Sequence, residues 1–213
     1  MHVDHLSFAC GPEGLLACAD RLASQLGVDS LDGGFHPRFG TRNRIIPLAG
    51  PRYLEVVEVL DHPAAEKAPF GQAVRTRSEQ GGGWLGWVIA LDDELMATFE
   101  DRLGRPAVDG RRVQPDGSVL QWRQLGVRGL QSDPQLPFFV EWTSPESERP
   151  SAMDSPVELV SIQLAGSPDR LREWLGGEAT ELMPGLPLRW HHPSGQPGLA
   201  SATFDTPRGQ VTI

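Results

Sequence analysis

The spacing of apolar and polar residues changes period several times along the chain, and the changes recur in the same order. Val3 to Ala9 alternates as a strand does, with Leu6 and Phe8 on one face and His5, Ser7 and Ala9 on the other. From Glu13 to Leu26 the period becomes helical: Leu15, Ala19, Leu22 and Leu26 form one stripe, and Gly27 follows as a stop. A Gly-rich connection at 33–40 then leads to strands predicted at Asn43–Leu48 and Tyr53–Leu60, with Ala49-Gly50-Pro51 as the turn between them.

The pattern restarts at Trp84. Trp84–Leu91 predicts a buried strand, and Asp92–Leu103 a helix with Leu95, Phe99 and Leu103 in line. Strand signals follow at Arg111–Val113, Val119–Leu125 and Phe138–Thr143. A third start lies at Val157–Leu164. Ser167-Pro168 opens a short helix there, before short strands at Leu188–His192, Leu199–Asp205 and Gln210–Ile213. The interval from His5 to Gly86 nearly equals that from Glu55 to Glu141, so the first two units align with small loop differences. The chain therefore divides into β-α-β-β-β modules at 1–60 and 84–143 and a third, shorter related unit at 156–213. Segments 61–83 and 144–155, rich in Pro, Ser, Gly and charge, are expected to be linkers.

Composition narrows the class. With 39% hydrophobic residues in 213, the chain can bury a sizeable core, and 24 Gly and 19 Pro favour short elements and many turns. A net charge of -9 without a basic run argues against nucleic acid or an anionic membrane as partner. No stretch approaches a membrane span, and the opening Met1-His2-Val3-Asp4-His5 lacks the features of a signal peptide. Two cysteines, Cys10 and Cys18, suit reduced thiols, so a cytoplasmic location is expected.

Three stretches carry a family resemblance: Asp4-His5-Leu6-Ser7-Phe8, His36-Pro37-Arg38-Phe39-Gly40-Thr41-Arg42-Asn43-Arg44, and Tyr53-Leu54-Glu55-Val56. The second half adds Phe139-Val140-Glu141-Trp142. On these residues the chain resembles the vicinal-oxygen-chelate superfamily and, within it, glyoxalase-like proteins of the glyoxalase-3 type. The resemblance implies an α+β fold in which tandem βαβββ modules form U-shaped mixed sheets around a cleft. It also implies metal ligands on the first and last strand of each module. By position these are His5 and Glu55 in the first module, with Gly86 and Glu141 as counterparts in the second. Three slots hold donors and one is empty.

A His5, Glu55 and Glu141 set with water could hold one divalent ion, Mn, Fe, Ni or Zn, while Gly86 removes the second imidazole of a two-His-one-carboxylate triad. Glu55 or Glu141 could then also move a proton. The competing reading pairs both carboxylates with Arg44, Arg123 or His5 as structural contacts. His36, Asn43 and Arg44 are candidates for gripping an anionic substrate, with His36 a candidate general base as well. Trp84 and Trp122, with Trp87 and Trp142, could wall an apolar pocket. His191 and His192 are adjacent on a strand, point to opposite faces, and cannot chelate one ion together. G-x-S-x-G and phosphate-cradling glycine motifs are absent.

Two functions follow as expectations. One is an enzyme acting on a small, anionic metabolite, with metal-assisted lyase or isomerase chemistry (dioxygenase chemistry being the further variant of that class). The other is a metal-free protein that sequesters a small molecule in the same cleft. The architecture leaves a homodimer open.

Overall fold

A computed structural model describes residues 1–185, 187–191 and 196–213. The first module runs β1 (His2–Ala9), α1 (Leu15–Leu26), β2 (Leu31–His36), β3 (Thr41–Leu48) and β4 (Arg52–Val59). α1 forms where the apolar stripe predicts it and buries Leu15, Cys18, Ala19, Leu22, Ala23 and Leu26. Each fully buried leucine there contributes about 1.5–3 kcal/mol relative to exposure. The Glu58 carboxylate accepts the Leu15 N–H at 3.1 Å and so caps the start of α1. Gly27 ends the helix in the left-handed conformation and donates back to Ala23.

Residues 61–83 depart from the linker expected there. They form α2 (Pro63–Lys67) and α3 (Pro69–Glu79). Each has proline in its first turn, and His62 accepts from the Ala64 N–H to cap α2. Phe70, Ala73 and Val74 give α3 a buried face. The proline content that suggested a linker marks helix starts instead.

The second module repeats the order with β5 (Gly83–Ala90), α4 (Asp93–Leu103), β6 (Val108–Val113), β7 (Val119–Leu125), a short α5 (Gly129–Ser132) and β8 (Phe138–Trp142). The strands of both modules close into a barrel in the order β1-β4-β3-β2-β6-β7-β8-β5. In each half the first strand lies parallel to the last, β1 with β4 and β5 with β8. The halves meet along β1 and β5, which pair antiparallel from His2 to Ala9. Opposite, β2 and β6 meet at one register pair among the described residues, Phe35 with Val113. Gly34 makes that seam, because a Cβ there would overlap the Val113 carbonyl.

The C-terminal unit contains β9 (Glu158–Ala165), α6 (Pro168–Leu175), α7 (Ala179–Leu182), β10 (Leu188–His191), β11 (Gly198–Thr206) and β12 (Gly209–Thr212). Its sheet order, β10-β9-β11-β12, differs from that of the two modules: β9 lies between β10 and β11 instead of beside the last strand. It resembles a module in element order but not in sheet order. His191 is exposed at the end of β10, and His192 lies outside the described residues.

Two apolar clusters result. The larger joins the outer face of the barrel (Leu6, Phe8, Leu54, Val56, Trp87, Phe139) to α1, α4 and the C-terminal unit. The smaller fills the barrel interior with Ala9, Val57, Val88, Trp122, Phe138 and Val140, and takes Phe70, Ala73 and Val74 from α3. Cys10 and Cys18 are free and buried, and burial pushes their thiols up to about 12 and about 11. Among the described residues no helix is long and apolar enough to cross a membrane.

Candidate functional site

A cavity opens inside the barrel, with about 410 Å³ of space, its mouth included. The first module supplies a polar wall of His5, His36 and Glu55; Phe39, Phe70, Trp122, Phe138 and Trp142 surround it with aromatic surface. Strand alternation produces this arrangement. His5 and Ser7 on β1, Asn43 on β3 and Glu55 on β4 all face inward, while Leu6, Arg44 and Val56 face outward.

Glu55 is the hub. Ser7 Oγ–H donates to Oε2 at 2.8 Å, and the Asn43 amide donates to Oε1 at 2.7 Å. Two imidazoles face the same carboxylate, His5 Nε2 at 3.9 Å from Oε2 and His36 Nε2 at 3.9 Å from Oε1. Both rings are fixed through their other nitrogen. His36 Nδ1 is hydrogen-bonded to Thr41 Oγ1 at 2.9 Å, and His5 Nδ1–H donates to Asp4 Oδ2 at 2.6 Å. The second Asp4 oxygen accepts from Trp142 Nε1–H at 2.9 Å, tying β1 to β8.

Asp4 and His5 are neighbours in sequence, yet both belong to this network. A β-bulge explains it: Val3 stands opposite Ile89 and His5 opposite Val88, which leaves Asp4 as the extra residue. Tyr53 completes the support by stacking on His5, with centroids 4.6 Å apart and planes 19° from parallel. Burial, with the nearby Asp4 and Glu55 charges, pushes the Tyr53 phenol well above its ordinary value.

The electrostatics set charge states. Burial pushes the Glu55 carboxyl upward, but His5, His36, Asn43 and Ser7 together outweigh it and hold the group below the usual carboxylate value. His36 moves the other way from a paired histidine. Burial lowers it to about 4 against the pull of Glu55, so it is neutral at pH 7. Across the cavity Arg112 is 3% exposed. Burial pulls its guanidinium down while Tyr53, Glu55 and Asp32 oppose; the group stays charged.

The model of the glyoxalase-like domain matches residues 3–182, nearly the whole chain. The chain belongs to the glyoxalase-like domain family. Its tandem βαβββ modules give the mixed α+β fold of a glyoxalase-like domain. A hypothetical protein from Staphylococcus aureus superposes with a TM-score of 0.67 at 14% identity, over 92% of this chain and 88% of its own. A Streptomyces coelicolor methylmalonyl-CoA epimerase variant in complex with 2-nitronate-propionyl-CoA superposes with a TM-score of 0.44 at 18% identity, over 68% of this chain and 97% of its own. Among curated proteins none matches.

Within this glyoxalase-like fold the expected site residues separate into two groups. His5, His36, Asn43, Glu55 and Trp122 lie in or against the cavity. Glu141, Arg44 and Trp84 do not. Glu141 stands between the inward-facing Val140 and Trp142 and points outside the barrel, where Arg123 donates to it at 2.9 Å and also pairs with Glu100 of α4. Arg44 lies on the outer face of β3 and donates to Ser30 Oγ and O at 2.8 and 2.6 Å. Trp84 packs on Phe8 and donates its indole N–H to the Ile213 carbonyl at 3.1 Å. Asp4, Tyr53, Phe70, Arg112 and Gln124 also line or brace the cavity, and none of them is among the site residues expected from the sequence.

The expected metal set of His5, Glu55 and Glu141 therefore does not assemble. From the second module the cavity is lined by Arg112, Trp122, Gln124, Phe138, Val140 and Trp142, none of which is a His, Cys, Asp or Glu. Among the described residues no three His, Cys, Asp or Glu side chains are grouped to hold a metal ion. The Arg112 cation lines the same space, which disfavours a second cation there. These residues do not fit the divalent ion that the resemblance implied.

Proposed function

We propose that this chain acts on a small metabolite by proton transfer at a carbon next to a carbonyl group, in the isomerase or lyase class, with Glu55 as proton acceptor. One observation carries the reading: a buried carboxylate, kept ionised by its neighbours, faces an aromatic-walled cavity. The lowered pKa favours availability over strength. The substrate C–H must therefore be acidified by its own carbonyl. His5, oriented through Asp4, stands beside Glu55 as the second proton-handling group, and neutral His36 adds no competing charge.

The test is solvent deuterium uptake, followed by proton NMR, into C3 of 2-oxobutanoate and of its uncharged amide. Glu55→Gln is expected to slow protein-catalysed exchange by about 100-fold or more. Exchange at the wild-type rate in that variant contradicts the role of Glu55. A wild type that binds these probes without exchanging any proton behaves as a sequestering protein instead.

A further inference from the structure

Arg112 is the one cavity residue whose charge the proton-transfer reading leaves unused. It lies on β6, where Gly110 and Arg112 face inward and Arg111 faces solvent. Its guanidinium makes no hydrogen bond or ion pair among the described residues, and its Nε is buried without a partner. A buried, unpaired cation is unfavourable, and native folds keep one only where something completes it. Glu55 and Asp32 contribute field at Arg112, but neither makes a hydrogen bond or ion pair with it.

Farther along the same cavity wall, past Gly110 and Trp122, Gln124 presents a second donor. Trp122 Nε1–H can only donate, and it donates to Gln124 Oε1 at 2.9 Å, which turns the Gln124 NH₂ group away from the indole. That NH₂ group makes no hydrogen bond among the described residues, and Gln124 lines the same cavity as Arg112. Trp122 itself lies over Gly110, where a Cβ would overlap the indole. The guanidinium and the amide thus sit against an aromatic wall.

We infer that Arg112 is the anchor for a carboxylate, with Gln124 as a second donor farther along the wall, so that the ligand is a small carboxylic acid whose remaining body is apolar or carries a carbonyl. A planar, delocalised anion matches a guanidinium fork, and the flanking aromatics exclude the water that a dianionic phosphate needs. The anchor also sets direction. The Glu55 anion repels the ligand's carboxylate, so binding at Arg112 turns the rest of the ligand, with the C–H beside its carbonyl, toward Glu55. The proposal rests on the proton-transfer reading only for that orientation.

The experiment is calorimetric titration of the wild-type protein with 2-oxobutanoate and phenylacetate, each beside its uncharged amide, and with inorganic phosphate. The carboxylates are expected to bind at least about tenfold more tightly than the amides and than phosphate. Arg112→Met is expected to erase that difference by weakening the carboxylates at least about tenfold more than the amides, and Arg112→Lys to recover part of it. Should Arg112→Met fail to fold, the wild-type carboxylate-to-amide ratio and the Arg112→Lys value decide alone. Equal binding of acid and amide, tighter binding of phosphate, or no binding of either acid overturns the anchor. Glu55-dependent deuterium uptake into 2-oxobutanamide would survive that outcome, which separates failure of the anchor from failure of the proton-transfer reading.

Discussion

His36 Nε2 lies 3.9 Å from Glu55 Oε1, both side chains are buried, and burial keeps the imidazole neutral at pH 7 against the pull of the carboxylate. A neutral His36 leaves the carboxylate as the negative centre of the wall. A protonated one would compete with Arg112 for any anionic ligand. The pair therefore has one working state at neutral pH, ionised Glu55 with uncharged His36.

The pH dependence of stability follows with a definite sign. His36 is lowered in the folded protein to about 4 from 6.5, so the unfolded chain binds that proton first as pH falls. Stability associated with His36 is complete above pH 6.5 and is lost progressively down to about 4, by roughly 3 kcal/mol. Glu55, also lowered, adds to the loss below its unfolded value of 4.5. Urea unfolding between pH 7 and pH 4 is expected to show this slope, and His36→Gln to flatten it above pH 4.5.

Removing a donor from Glu55 should raise its pKa. Ser7→Ala deletes the 2.8 Å bond to Oε2 without adding bulk. It is expected to cost about 1.5–3 kcal/mol of stability, as loss of a hydrogen bond to a charged group does. The acid limb of the deuterium-exchange profile is expected to move to higher pH, and an unmoved limb would count against Glu55 as the titrating group.

Glu141 and Arg44 give the control. Both lie outside the barrel, Glu141 paired with Arg123 and Arg44 with Ser30. Glu141→Ala is expected to lower stability by about 1 kcal/mol or less and to leave ligand affinity and any metal content unchanged. Metal analysis of the purified protein beside Glu141→Ala checks this, with loss of bound metal in the variant restoring Glu141 as a ligand.

Gly110 should tolerate no side chain, because the Trp122 indole occupies the place of a Cβ. Gly110→Ala is expected to displace Trp122, to cost about 1–3 kcal/mol as overpacking does, and to shift tryptophan emission. Carboxylate affinity should fall with it, since Trp122 orients Gln124.

Much of this was legible in the residues. On β1 the alternation placed Leu6 and Phe8 opposite His5 and Ser7, and the α1 stripe is the buried one. Parity alone does not place every residue. Asn43 and Arg44 were grouped as one grip, although adjacent strand residues face opposite ways, and only Asn43 reaches Glu55. On β8 both faces are apolar because one meets the cavity and the other meets α4, so alternation could not say which face Glu141 occupied. Arg111 and Arg112 present the same problem on a short strand. Asp4 was hidden for another reason: a bulge inserts one residue into a register that sequence period treats as regular.

Proton transfer to Glu55 requires the carboxylate to be ionised inside the cavity. Carbon-13 NMR of protein labelled at the glutamate side-chain carboxyls, with the Glu55 signal assigned by its absence in Glu55→Gln, follows that group through a titration. The expected midpoint lies below the ordinary carboxyl value of 4.5. A midpoint above it would mean that burial outweighs Ser7, Asn43 and the two imidazoles, and would contradict the proposed proton acceptor.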